Sequence, residues 1–125
     1  MVLGPVSIDK DYQNRGYGTR LIQYTMDLAK TENILYIFVI GDENYYCRFG
    51  FVSASKYDIY LENTDTGEEN PFFMINVFDE LKLKRNATFH NPKIFDVKKE
   101  DVDEFDRKFE YKDKLVLKGQ LEDIE

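Results

Sequence analysis

Residues 11–24 read DYQNRGYGTRLIQY. Gly16 and Gly18 sit one residue apart, after a short apolar run and ahead of a helix-like stretch. Upstream, residues 2–8 (VLGPVSI) are apolar and β-branched, and charges end the run at Asp9–Asp11, the pattern of a strand over Val2–Ile8. Downstream, Leu21, Ile22, Thr25, Met26, Leu28 and Ala29 recur at helical spacing, which predicts a helix over 19–30 with those residues on its inner face. Residues 34–40 (ILYIFVI) follow as an unbroken run of strand formers, as expected of a strand buried on both faces in a parallel sheet. Strand, glycine turn, helix and strand make a βαβ unit.

A turn in this position has two readings of equal standing when taken by itself. It is a structural connection, or it is an anion cradle. The first turn of a helix presents N–H groups without carbonyl partners, and the helix dipole adds partial positive charge. Glycine lets the backbone approach an anion without a Cβ in the way, so Gly16 and Gly18 suit a phosphate, with Arg15 and Arg20 able to add charge. Two phosphate motifs are absent. No GxxxxGK[ST] occurs, and position 21, where the dinucleotide fingerprint wants a third glycine, is Leu21.

Composition narrows the classes. The chain has 125 residues, 42% hydrophobic and 15% aromatic, with ten Phe and nine Tyr but no Trp, which suits one domain with a core of rings. A net charge of -7 argues against an extended nucleic-acid surface, which needs clustered Lys and Arg. Residues 96–125 hold eleven acids and seven bases, and residues 1–30 hold three acids and four bases, so an anion is better received near the start. Cys47 is the single cysteine, so no internal disulfide forms, which fits a reducing cytoplasm. No run approaches the ~20 apolar residues of a membrane helix, and the start has no signal-peptide pattern.

Beyond residue 40, Gly41–Asp42 breaks the strand and Glu43–Phe49 predicts a short helix closed by Gly50. Phe51 begins another extended stretch. Residues 62–71 form a polar loop, 71–78 a strand or hairpin arm, and Ala87–Phe95 is ambiguous. Lys99–Phe109 carries Val102, Phe105 and Phe109 at helical spacing beside a solvated acidic face, and 119–125 form a tail. The chain reads as one domain, 1–125.

The segment Gln13-Asn14-Arg15-Gly16-Tyr17-Gly18 resembles the Q/R-x-x-G-x-G/A motif of the Gcn5-related N-acetyltransferases (GNAT). GDENYYCRFGF at 41–51 is similar to a second block, G-D-x-x-Y-Y-x-R-F-G-F, of one bacterial subgroup. ASKY at 54–57, PFFMI at 71–75 and the FHN segment resemble that subgroup too. The resemblance implies an α/β (α+β) fold with a mixed sheet of acyl-CoA N-acyltransferase type. It implies an acetyl-CoA-binding core at 1–57 and a C-terminal extension at 58–125. Val2–Ile8 would splay from Ile34–Ile40, and acetyl-CoA, the cosubstrate, would lie in the gap with its pantetheine arm along Val6 and Ile8. Gln13, Asn14, Arg15, Gly16, Tyr17, Gly18 and Thr19 would hold its pyrophosphate. Tyr46 aligns with the tyrosine that protonates the leaving thiolate as an amine attacks the thioester directly.

The implied acceptor is a small-molecule or peptide amine, in the cytoplasm, with no nucleic acid, membrane or metal involved. One Cys and one His cannot supply the usual nitrogen and sulfur metal ligands. Family members carry further strands and helices ahead of the glycine motif, so the resemblance implies a missing N-terminal half and, with it, either a complementing half or an inactive module that dimerises through the exposed edge of Val2–Ile8. A phosphate-binding module unrelated to acyl transfer is a further alternative, one that leaves Tyr46 and the RFGF block without a role. Many members also carry an Asn where Gly41–Asp42 stands here. Tyr45 and Tyr46 point about 100° apart on a helix, so one faces the cleft, and Tyr45 is expected as a packing or wall residue. Arg48 is expected at the surface or in an ion pair, with a CoA contact as the alternative. Cys47 lacks an adjacent base, and His90 is expected to make a structural hydrogen bond.

Overall fold

The computed structural model describes residues 1–65, 69–113 and 115. The first regular element is helix α1, Tyr17–Thr31. It buries Ile22, Met26 and Ala29, a narrow i, i+4, i+7 stripe. Leu21 and Leu28, expected on the inner face, are instead 45% and 47% exposed. They lie with Tyr24 on a neighbouring, exposed stripe.

Strand β1, Tyr36–Ile40, follows α1, and its three central residues are buried. Its neighbour in the sheet is β4, Phe73–Val77, paired antiparallel with Phe38 opposite Ile75 and Val39 opposite Met74. Short β2, Val52–Ser53, pairs antiparallel with the other edge of β4, giving the order β1-β4-β2. The expected burial of β1 on both faces holds, but its regular partner is antiparallel rather than parallel. The parallel contact is confined to a single bridge, Val2 to Phe38.

Alternation along the strands sorts the core into two layers. Ile37, Val39 and Met74 face α1 and pack with Ile22, Met26, Ala29 and Phe51. Phe38, Phe73 and Ile75 face the opposite way, onto Ala54, Ile59 and Leu61. That second layer is roofed by β3, Ile59–Leu61, paired parallel with β5, Ala87–Phe89. Phe38, Phe73 and Phe89 form its ring cluster, with Phe38 and Phe73 stacked at 5.4 Å and 6°. At the β3 end, Glu62 accepts from the Asn91 N–H at 3.0 Å and pairs with His90 Nδ1 at 2.7 Å, the structural bond expected of His90.

Helix α2, Glu43–Tyr46, continues as a 3-10 turn through Phe49 and closes at Gly50, whose φ of 88° gives the left-handed stop anticipated there. Helix α3, Lys99–Asp106, ends before the expected Phe109. Its apolar residues Val102 and Phe105 are exposed, as is Phe109 beyond its end. The tail 119–125 lies outside the described residues.

The expected strand Val2–Ile8 is corrected. Leu3 N–H donates to the Phe38 carbonyl at 2.8 Å and Phe38 N–H to the Met1 carbonyl at 2.9 Å, and there the ladder stops. Among the described residues, Gly4–Ile8 pairs with no strand. A strand exists only where a neighbour satisfies its backbone groups, and this segment diverges from β1 after Leu3. Val2 packs on the β3 side while Leu3 and Val6 pack on the α1 side, so the alternation slips around Gly4–Pro5.

Candidate anion cleft at the start of helix α1

The divergence of residues 4–8 from β1 leads into the glycine turn. Asp9 caps a 3-10 turn at Lys10–Tyr12, accepting from the Asp11 N–H at 2.9 Å. Gln13 Nε2 donates to the Ile8 carbonyl at 2.8 Å, tying the loop back to the segment that precedes it. Asn14 and Gly16 both adopt left-handed backbone, at φ 59° and 80°. Asn tolerates that region and Gly favours it, so the chain reverses and enters α1 at Tyr17.

Gly16 occupies the N-cap position without a side chain to offer, and the first turn carries no acidic residue. Arg20 N–H makes the first helical bond, to the Gly16 carbonyl at 3.1 Å. The amides of Tyr17, Gly18 and Thr19 are thus the helix's orphan donors, at its positive end. A protein-only solution to this terminus would be Ser, Thr, Asp or Asn at the cap. The sequence puts glycine there, which leaves the donors available to an anion.

These donors open into a cleft of about 420 Å³ lined by Ile8, Tyr12, Gln13, Asn14, Gly16, Tyr17, Gly18, Thr19, Tyr45 and Arg48. The structure therefore gathers Ile8, Gln13, Asn14, Gly16, Tyr17, Gly18 and Thr19 from the residues predicted to bind cofactor. Val6 packs into the core beneath, and the Arg15 guanidinium sits 5.8 Å from the Tyr12 ring centre, outside the lining. A Cβ at Gly18 would stand 3.0 Å from the Tyr45 hydroxyl and 3.7 Å from Ile8, so glycine there allows helix and wall to close on each other.

Tyr45 and Arg48 form the far wall, and Arg48 is exposed, as expected of a surface residue, while also lining this cleft. Arg48 Nε donates to the Tyr45 carbonyl at 3.1 Å, and its guanidinium lies 4.3 Å from the Tyr45 ring centre. The two tyrosines divide as helix geometry requires. Tyr45 faces the glycine loop, while Tyr46 lies over Gly41 at the end of β1 and meets Phe51 edge-on at 5.8 Å. Burial, with a smaller contribution from neighbouring Tyr45, raises the Tyr46 phenol above its ordinary value. Asp42 caps α2, accepting from the Asn44 N–H at 3.0 Å, so the place where Asn is common in the family is used here to start this helix. Cys47 is exposed, with Sγ 3.5 Å from the Asn44 carbonyl.

The motif reasoning leaves Tyr45 as a packing or wall residue and gives Arg48 a CoA contact only as the alternative, without pairing the two across the cleft. Only the i, i+3 spacing of 45 and 48 on one helix face pointed to their acting together. Among the described residues no cluster of three or more His, Cys, Asp or Glu gathers as a metal site, and no helix is long and apolar enough to cross a membrane.

Residues 1–51 match the model of the acetyltransferase (GNAT) family. No curated protein matches the chain significantly. Among solved structures, the fold is similar to YhbS, a GNAT family N-acetyltransferase from Escherichia coli in complex with CoA, with a TM-score of 0.63 and 19% identity over 77% of this chain. The chain spans about half the length of that structure, covering 52% of it. That match over residues 1–51 takes in both stretches from which the resemblance is read, 13–18 and 41–51. The architecture is of the acyl-CoA N-acyltransferase kind, a mixed α+β arrangement.

Proposed function

We propose that this chain carries the acetyl-CoA-binding part of an N-acetyltransferase and that it serves transfer of acetyl from acetyl-CoA to an amine. The observation that carries the reading is the uncapped N-terminus of α1, three amides without a partner among the described residues opening into a cleft, directly beside the point where residues 4–8 leave β1. The donor set fits a diphosphate: several backbone N–H groups, left-handed backbone at Gly16, and a glycine at 18 where the wall approaches. YhbS, of the same fold, binds CoA.

In this proposal the amides of Tyr17, Gly18 and Thr19 hold the diphosphate, Gln13 and Asn14 shape the loop, and the backbone of Val6 and Ile8, which joins no strand among the described residues, receives the pantetheine arm. Residues 1–57 supply these contacts, and β4, from the 58–125 extension, supplies the central strand that holds β1 in place. The amine nitrogen attacks the thioester carbon and the C–S bond breaks. The sulfur leaves as a thiol on taking the Tyr46 proton, and the proton released by the amine restores the phenol. A phenol whose ionisation is pushed above 10.0 keeps its proton at neutral pH, as this role requires. The acceptor is a small-molecule or peptide amine.

Titration calorimetry with acetyl-CoA tests the binding claim. Saturable heat is expected, and no heat at millimolar ligand from a folded sample refutes it. A second reading rests on the corrected strand. Val2 is bridged on one side only, so its other edge is a template for another strand. On that reading the segment pairs with a second copy or with a complementing half, and sedimentation showing a strict monomer at all concentrations rejects the second copy.

A further inference from the structure

The far wall of the cleft carries a charge that no ion pair among the described residues neutralises. Arg48 belongs to none of the ion pairs among the described residues, which join Lys82 to Asp79, His90 to Glu62 and Lys99 to Asp103. Its Nε is committed to the Tyr45 carbonyl, which fixes the plane of the guanidinium. The Tyr45 ring supports one face at 4.3 Å and the Phe49 ring lies 5.5 Å away. The terminal nitrogens keep their donors, since a guanidinium has five N–H groups and one is used. Tyr45 in turn is held against the glycine turn, its hydroxyl at the position where Gly18 lacks a Cβ. Arg48 is therefore a braced cation across a cleft from three orphan amides.

We propose that Arg48, positioned by Tyr45, is the second wall of the anion site and grips the ligand's diphosphate from the side opposite the α1 amides. The site then selects for phosphate-bearing forms of the cosubstrate over bare pantetheine. An exposed arginine stacked on a tyrosine would by itself be ordinary surface packing. Two features set this one apart: it lines the same cleft as the uncapped helix end, and among the described residues no carboxylate pairs with it. A guanidinium suits this task better than an ammonium, because its planar fork both stacks on the ring and offers paired donors to phosphate oxygens. The identity of the ligand rests on the acetyl-CoA reading above, while the wall itself requires only an anion.

The test titrates CoA, pantetheine and inorganic pyrophosphate into the wild-type chain and into Arg48→Gln, Arg48→Lys and Lys56→Gln. Lys56, exposed on the turn at 54–57, controls for loss of one unit of charge. Arg48→Gln should weaken CoA and pyrophosphate by about tenfold or more, the scale of one lost charge-assisted contact, and leave pantetheine unchanged. It should also flatten the salt dependence of CoA binding, because a charge contact is screened by salt and a packing contact is not. Arg48→Lys should fall between the two, and Lys56→Gln should bind as wild type. Matching thermal melts show that the variants are folded. Arg48→Gln binding CoA and pyrophosphate like Lys56→Gln overturns the proposal, as does a wild-type chain that binds no pyrophosphate at millimolar concentration. Pyrophosphate binding that depends on Arg48, in a chain that ignores CoA, supports the wall and refutes the acetyl-CoA reading instead.

Discussion

Alanine at Gly41 should drive the Tyr46 ring from its seat. The added Cβ would stand 2.6 Å from Tyr46 Cε2 and 3.2 Å from Cδ2. Ordinary carbon contacts are about 3.5–4.0 Å, so the ring must retreat by roughly 1 Å. The backbone cannot retreat in its place. Gly41 N–H is bonded to the Phe72 carbonyl at 3.0 Å, and Asp42 next to it caps α2. Nor is the ring free to slide, with Tyr45 at 5.1 Å and Phe51 at 5.8 Å on its flanks. Overpacking of this kind costs about 1–3 kcal/mol. At about 4 °C per kcal/mol for a chain of this size, Tm should fall by roughly 4–12 °C. The displaced phenol loses its burial, so its ionisation should move down toward 10.0. Thermal melts and an ultraviolet pH titration, with Tyr46→Phe subtracted to isolate one phenol among the nine tyrosines, read both effects. A Gly41→Ala protein that melts with wild type and titrates Tyr46 unchanged would refute the packing on which the proposed proton-donor role depends. CoA affinity should persist, because the anion cleft does not include Gly41. In the complete reaction a displacement of 1 Å is worth on the order of a hundredfold in turnover.

Other consequences are separable. Gly16→Ala adds a Cβ with nothing within 4 Å but forces φ 80° on alanine, so it should cost about 1–2 kcal/mol by backbone strain alone, read by urea denaturation, with Gly16→Asn milder. Ile22→Ala empties a fully buried position between α1 and β1 and should cost about 2–5 kcal/mol, and a smaller loss would show that the helix is not anchored there. Glu62 is held below its ordinary 4.5, first by His90 and then by the Asn91 N–H. A depressed carboxylate stabilises the fold above its unfolded value and loses that contribution as pH falls through the folded value. The stability gap between wild type and Glu62→Gln should therefore be full at neutral pH and narrow as pH falls below 4.5, and a gap that does not narrow with acid contradicts the pairing.

Local signals in the sequence fared differently from those that depend on distant partners. Helix α1 was legible because Ile22, Met26 and Ala29 repeat at helical spacing, and the stop at Gly50 because only glycine enters left-handed backbone without cost. The partner of β1 was not legible. Residues 34–40 show that a strand is buried on both faces, but a run of apolar residues does not say whether its neighbour is parallel. Phe73–Val77, more than thirty residues on, takes that place antiparallel. The strand expected at Val2–Ile8 failed for a related reason: β-branched residues make a segment fit for a strand, but among the described residues Gly4–Ile8 has no neighbour to pair with. At the cleft, the motif spacing located the glycine loop. It did not tell which of Tyr45 and Tyr46 faces it, since adjacent residues diverge by about 100° and either assignment satisfies the helix. That choice is made by Gly41, which seats Tyr46, and by Gly18, which leaves room for the Tyr45 hydroxyl.

The central claim is that the orphan amides of α1 bind the diphosphate of acetyl-CoA. Amide chemical shifts recorded during a CoA titration test it residue by residue. The account predicts saturable shifts concentrated at Gln13–Thr19 and Arg48, with β3 and β5 unmoved. A folded sample whose Tyr17, Gly18 and Thr19 amides stay fixed at millimolar CoA would contradict it.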